Sequence, residues 1–208
     1  FIGVFAGSVA WADYDGDGDL DLFITGVLGS APGSSVLTRL YCNDGTGFTS
    51  VNHPFGNSYL GAVAFGDYDN DERDDIVLGL PNGIAIYHNE TGGRFRNVTS
   101  STGIRFDGLP LGLTLVDFDH DGDLDLYISR FADFPLEPGG ELNRSAIAPP
   151  GPNALWRNNG NGTFTDWTAE SGMGGNGQGT VAAIASDLNN DRAVDLVLTG
   201  WREPAVVF

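Results

Sequence analysis

Asp117-Phe118-Asp119-His120-Asp121-Gly122-Asp123-Leu124-Asp125-Leu126-Tyr127-Ile128 sets alternating carboxylates directly before a short apolar run. Ahead of it stands a second apolar run, Leu113-Thr114-Leu115. Both runs are rich in β-favouring residues and too brief for helices, so they read as two buried strands joined by an acidic loop. The arrangement recurs. Nine-residue acidic runs begin at Asp13, Asp67, Asp117 and Asp187 and end at Asp21, Asp75, Asp125 and Asp195. Each follows an apolar stretch: Val9-Ala10-Trp11, Val63-Ala64-Phe65, Leu113-Thr114-Leu115 and Ala183-Ile184-Ala185. Each precedes another: Leu22-Phe23-Ile24, Ile76-Val77-Leu78, Leu126-Tyr127-Ile128 and Leu196-Val197-Leu198.

A third strand follows in every copy, ending in an aromatic at Tyr41, Tyr87, Trp156 or Phe208. In the first three copies a turn comes next, Asn43-Asp44-Gly45, Asn89-Glu90-Thr91-Gly92 or Asn158-Asn159-Gly160, of the composition that accepts positive φ in tight hairpins. The fourth strand opens with Phe48, Phe95 or Phe164. Four antiparallel strands per copy, with loop starts 54, 50 and 70 residues apart, predict an all-β fold, a β-propeller or a segment of one, with the acidic loop between the first and second strands of each blade. The single repeat domain spans residues 1–208, divided at about 6–54, 59–102, 109–170 and 179–208. The last blade lacks its fourth strand. Residues 1–4 share the Phe-x-x-Val spacing of that strand, so they either complete the last blade or end a blade that begins outside this sequence.

Calcium takes six to eight oxygens at about 2.3–2.6 Å, and a tight loop supplies them by turning alternate residues inward. Positions one, three, five and nine give side chains, and position seven gives a backbone carbonyl. The candidate ligands are Asp13, Asp15, Asp17, Asp19 (carbonyl) and Asp21 in the first loop, and Asp67, Asp69, Asp71, Arg73 (carbonyl) and Asp75 in the second. The third offers Asp117, Asp119, Asp121, Asp123 (carbonyl) and Asp125; the fourth offers Asp187, Asn189, Asp191, Ala193 (carbonyl) and Asp195 and, with one carboxylate fewer, binds more weakly. Up to four Ca²⁺ ions are expected. Like charges about 4 Å apart repel by roughly 1–4 kcal/mol per pair, so such loops need a cation to fold tightly. An EF-hand is excluded, because position twelve is Ile24, Leu78, Ile128 or Leu198 within a strand pattern where that motif needs Glu.

Asp-x-Asp-x-Asp-Gly-x-x-Asp-Leu between two strands, clearest at Asp13–Asp21 and Asp117–Asp125, resembles the FG-GAP and VCBS repeats of integrin α-chain propellers and many extracellular proteins. The run Asn159-Gly160-Asn161-Gly162-Thr163-Phe164-Thr165-Asp166-Trp167 is similar to the hairpin of the subfamily that includes cartilage acidic protein. The resemblance implies structural calcium, with ligands bound elsewhere on the ring through loops joining blades. Glu72-Arg73-Asp74 departs from the pattern where Gly is common.

The net charge of −18, with only 10 Lys and Arg, repels a nucleic-acid backbone or an anionic membrane and favours cations. No apolar run is long enough for a membrane span. The start at Phe1 reads as a processed product or an excised piece. One cysteine, Cys42, makes no internal disulfide. Asn-x-Ser/Thr at Asn89, Asn97, Asn143 and Asn161 gives glycosylation candidates in a secretory setting. A Pro- and Gly-rich insertion between Phe131 and Asn153 is a candidate partner contact. Catalysis has little support: His53, His88 and His120 occupy unrelated repeat positions and no nucleophile elbow occurs. The expected function is a secreted or cell-surface calcium-binding module that contacts protein or glycan through its loops. The alternatives are a self-assembling structural subunit of a filament, coat or matrix, or a domain of a secreted enzyme.

Overall fold

The computed structural model describes residues 3–29, 35–132, 151–175, 179–200 and 204–208. Fifteen strands are found among them, in four antiparallel sheets. The first sheet holds β1 (Phe5–Ala12), β2 (Asp21–Val27), β3 (Val36–Asn43) and β4 (Phe48–Val51) in sequence order. The second holds β5 (Val63–Gly66), β6 (Asp75–Leu80), β7 (Gly83–Glu90) and β8 (Arg94–Asn97). The third holds β9 (Leu109–Val116), β10 (Asp125–Ala132), β11 (Ala154–Asn158) and β12 (Phe164–Asp166). The fourth has three described strands, β13 (Thr180–Ser186), β14 (Asp195–Gly200) and β15 (Val206–Val207). These meanders are the blades of a β-propeller. Their innermost strands pack in series, β1 on β5, β5 on β9 and β9 on β13.

The second strands are buried along most of their length, and in the two inner blades a neighbouring blade covers each face. The core therefore lies between blades. Tyr14, Phe23, Leu40, Phe55, Ile76 and Tyr87 fill the first interface, and Tyr68, Val77, Ile86, Leu126, Trp156 and Phe164 fill the second. Tyr127, Leu155, Leu196 and Leu198 fill the third. The outward faces of the end blades keep apolar residues in solvent: Phe5, Val9 and Trp11 on the first, Ile184 and Leu188 on the last.

A polar staple repeats across these interfaces. Asn89 Nδ2 donates to Tyr14 O of the preceding blade at 2.7 Å and to Asp74 O at 3.1 Å. Asn158 Nδ2 does the same with Tyr68 O at 2.7 Å and Leu124 O at 3.1 Å. Read from sequence only as turn starters, these asparagines tie one blade's loop to the next blade's third strand. Removing one orphans two buried carbonyls at about 1–3 kcal/mol each. Asn158→Ala is expected to lower stability by about 2–4 kcal/mol, measured by urea unfolding.

One feature differs from the sequence expectation. After β8 and β12 the chain makes single helical turns, α1 (Thr99–Thr102) and α2 (Thr168–Ser171), closed by Gly103 and Gly172 in the left-handed conformation. Asn97 Oδ1 accepts from Thr99 N, and Asp166 Oδ1 accepts from Thr168 N, so the Asn97 sequon occupies a turn that Asp fills in the next blade. As for ring closure, Phe1 and Ile2 lie outside the described residues, and Val4 lies against Gly26 of the first blade. The fourth sheet draws no strand from there among the described residues.

Candidate metal centres

Each acidic loop is wound by the same hydrogen bonds. The first Asp accepts backbone N–H groups at positions five and six: Asp13 from Asp17 and Gly18, Asp67 from Asp71 and Glu72. Asp117 takes Asp121 and Gly122, and Asp187 takes Asp191 and Arg192. The ninth residue accepts from position two, Asp21 from Tyr14, Asp75 from Tyr68, Asp125 from Phe118 and Asp195 from Leu188. In the first three blades it also accepts from the third-strand Asn: Asp21 from Asn43, Asp75 from Asn89 and Asp125 from Asn158, at 2.7–2.8 Å. One carboxylate thus fastens loop, second strand and third strand.

This winding needs positive φ at positions four and six. Gly16 and Gly18 meet the demand in the first loop, while the second uses Asn70 and Glu72 at 60° and 67°. Glu72 therefore adopts the geometry glycine usually supplies, so the departure in sequence leaves the loop intact. The strain is about 1 kcal/mol.

The loops gather carboxylates. Oxygens of Asp13, Asp15 and Asp21, of Asp67, Asp69 and Asp75, and of Asp117, Asp119 and Asp125 lie within 4.8 Å of one another in each set. Asp17 joins Asp15 and Cys42, and Asp71 joins Asp69 and His88, in further groups of the same span. Asp119 Oδ1 is buried with no hydrogen-bond partner among the described residues. A buried carboxylate oxygen without a donor is costly unless a cation meets it, and the all-oxygen sets fit a hard divalent ion. Burial holds the Asp75 carboxyl up at about 7 and that of Asp125 at about 6, against the backbone N–H bonds that lower them. Asp21 and Asp69 are raised by the same cause.

Position seven behaves differently. Asp123 turns its carboxylate to Asn70 Nδ2 at 2.6 Å, bridging the second and third loops, and Gly160, at φ +66°, leaves room for it: an added Cβ would meet Asp123 Oδ2 at 2.6 Å. Asp19 likewise lies beside Gly45. Arg73 folds back, donating Nε to Asn89 O at 2.8 Å and its guanidinium to Asp71. In the fourth loop Asp187, Asn189, Asp191, Ala193 and Asp195 keep the winding bonds but stay largely exposed, and Asn189 accepts from Asp191 N instead of standing in a carboxylate triad.

One register escaped the sequence reading. The residue before each third-strand Asn faces the loop, and it is Cys42, His88 or Arg157. Cys42 Sγ donates to Asp15 at 3.3 Å, and burial together with this bond pushes the thiol up to about 11. Arg157 stands 3.7 Å from Asp119. Alternation along β3, β7 and β11 carries the signal, since these residues point opposite to the aromatics before them.

Of the glycosylation candidates, Asn97 and Asn161 are exposed, and Asn143 lies outside the described residues. Asn89 is fully buried with both amide hydrogens engaged, which leaves no room for a glycan and corrects that expectation. Most of the Phe131–Asn153 insertion, residues 133–150, is also outside the described part. Beside its base, at the opposite end of the third blade from the acidic loop, opens a cleft of about 700 Å³. Arg105, Phe106, Arg130, Asn153, Trp156, Asp166 and Glu170 are among its lining residues. Arg130 lies over the Phe106 ring and pairs with Asp107 at 2.7 Å.

Blades wound through repeated aspartate loops define a propeller of acidic-loop repeats. The chain belongs to the FG-GAP-like repeat family, whose model matches residues 13–78, 67–128 and 145–198. No curated protein matches it. Among solved structures it is similar to an Agrocybe aegerita lectin described as recognising non-reducing terminal N-acetylglucosamine, at 19% identity and a TM-score of 0.52. That match covers 93% of this chain and 47% of the lectin chain, so the present chain spans about half the lectin's length.

Proposed function

We propose that this chain is a calcium-braced segment of an extracellular binding propeller, with carbohydrate as its ligand class, and that it binds rather than catalyses. The orphaned Asp119 Oδ1, set among Asp117 and Asp125 in a loop whose winding is repeated in other blades, carries the calcium part of this reading. Asp13, Asp15 and Asp21, then Asp67, Asp69 and Asp75, would hold ions in the same way. The ion supplies the charge that lets these carboxylates crowd, and the protein supplies a frame already hydrogen-bonded into shape. Millimolar extracellular calcium is enough to fill loops of modest affinity.

The ligand part rests on the cleft. Its volume suits a sugar residue or two, and it mixes apolar floor with charged and amide groups on the rim, the composition that recognises polyols. Its position away from the loops lets calcium brace the blade without occupying the binding face. The lectin likeness supports the same class. Arg105 and Glu170 are exposed on the rim, so the double substitution Arg105→Ala with Glu170→Ala is expected to abolish signals on a glycan array while the melting temperature in calcium stays within about 2 °C. A wild-type protein that binds no glycan on the array sinks this ligand class.

A second reading, self-assembly through the end blades, is favoured by the exposed Phe5, Val9 and Trp11 at one end and Ile184 and Leu188 at the other. A monodisperse monomer in calcium by light scattering removes it.

A further inference from the structure

We propose that the second loop, completed by His88 from β7, is a mixed imidazole–carboxylate centre that prefers a transition divalent ion of the zinc class to calcium. This rests on the reading of the loops as metal sites and says that they are not alike. His88 Nδ1 lies 3.1 Å from Asp69 Oδ2 and 3.3 Å from Asp75 Oδ1, and its Nε2 lies 3.8 Å from Asp71 Oδ2. Nδ1 is buried, yet it has no hydrogen-bond partner among the described residues, because neither oxygen stands where an N–H would point. A nitrogen so close to two carboxylates without hydrogen-bond alignment is placed as a ligand beside ligands. Ions bound at about 2.0–2.2 Å set neighbouring donors about 3.0–3.5 Å apart, and both Nδ1 separations fall in that range.

Neutral imidazole is a poor donor to calcium and a good one to zinc, cobalt or nickel. The other blades supply the contrast at the same register. Arg157 brings a fixed positive charge 3.7 Å from Asp119 and so adds no ligand, and Cys42 offers a thiol hydrogen-bonded to Asp15 in place of an imidazole.

The test is metal titration of the whole chain in 1 mM calcium with Zn²⁺, and with Co²⁺ for its visible absorption. Wild type is expected to take up one equivalent of Co²⁺ with a ligand-field band displaced by one equivalent of Zn²⁺. His88→Gln is expected to weaken Zn²⁺ binding tenfold or more and erase the band. Its calcium-dependent melting should be unchanged, which shows that it folds. An unchanged Zn²⁺ affinity in His88→Gln, or Co²⁺ displaced by calcium itself, overturns the proposal while leaving the calcium reading standing. A chain that binds neither calcium nor zinc overturns both.

Discussion

Stripping calcium with a chelator is expected to lower the melting temperature by well over 10 °C. An ion at a hundred times its dissociation constant stabilises the folded chain by about 2.7 kcal/mol per site, and the first three loops each gather a carboxylate triad. For a chain of this size each kcal/mol moves the midpoint by about 2–4 °C, so even two filled sites give about 10–20 °C. The effect exceeds ordinary ligand stabilisation because of where the triads sit. Asp21, Asp75 and Asp125 are buried, and each fastens one backbone N–H group of its own loop and one of the third strand. Without an ion, every loop holds crowded charge at the hinge of its blade. Differential scanning calorimetry with and without calcium measures this. Coincident curves would remove the proposed role of the loops.

The loops were legible because their chemistry is local. Alternation of Asp places donors on one side of a tight turn, and each copy is checked by the others. The strands were legible for the same reason, since Leu126-Tyr127-Ile128 or Ile76-Val77-Leu78 needs no knowledge of its neighbours to read as buried β. What escaped depends on stacking. Asn89 and Asn158 are turn residues within their own blades, and only the neighbouring blade reveals them as staples to Tyr14 and Tyr68. His88 looked unattached to any repeat position until β7 was paired with β6 and its side chain fell over the second loop. The Asn89 sequon misled for the reason the staple was missed: a sequence pattern carries no burial.

Asp125→Asn is expected to cost much more stability with the metal than without it. In calcium the substitution removes a charged ligand from a buried triad and should cost about 3 kcal/mol or more, a midpoint drop of about 6–12 °C. Without metal and near pH 8 the comparison alters. Burial holds the folded Asp125 carboxyl at about 6 and that of Asp75 at about 7, both above the ordinary value near 3.8. A carboxyl raised on folding binds its proton more tightly in the folded chain, so its contribution is fully present below about pH 4 and is lost as pH climbs to about 7. Metal-free wild type should therefore lose stability across that window. Asp125→Asn carries no such charge and loses less, giving up mainly one backbone hydrogen bond, from Phe118 or Asn158, worth about 1–3 kcal/mol. The deficit seen in calcium should shrink to about 1 kcal/mol in chelator at pH 8. Urea titrations of both proteins at pH 4 and pH 8, with and without calcium, decide it. A deficit that stays the same in all four conditions would mean that Asp125 acts only through its hydrogen bonds and that no ion draws on its charge.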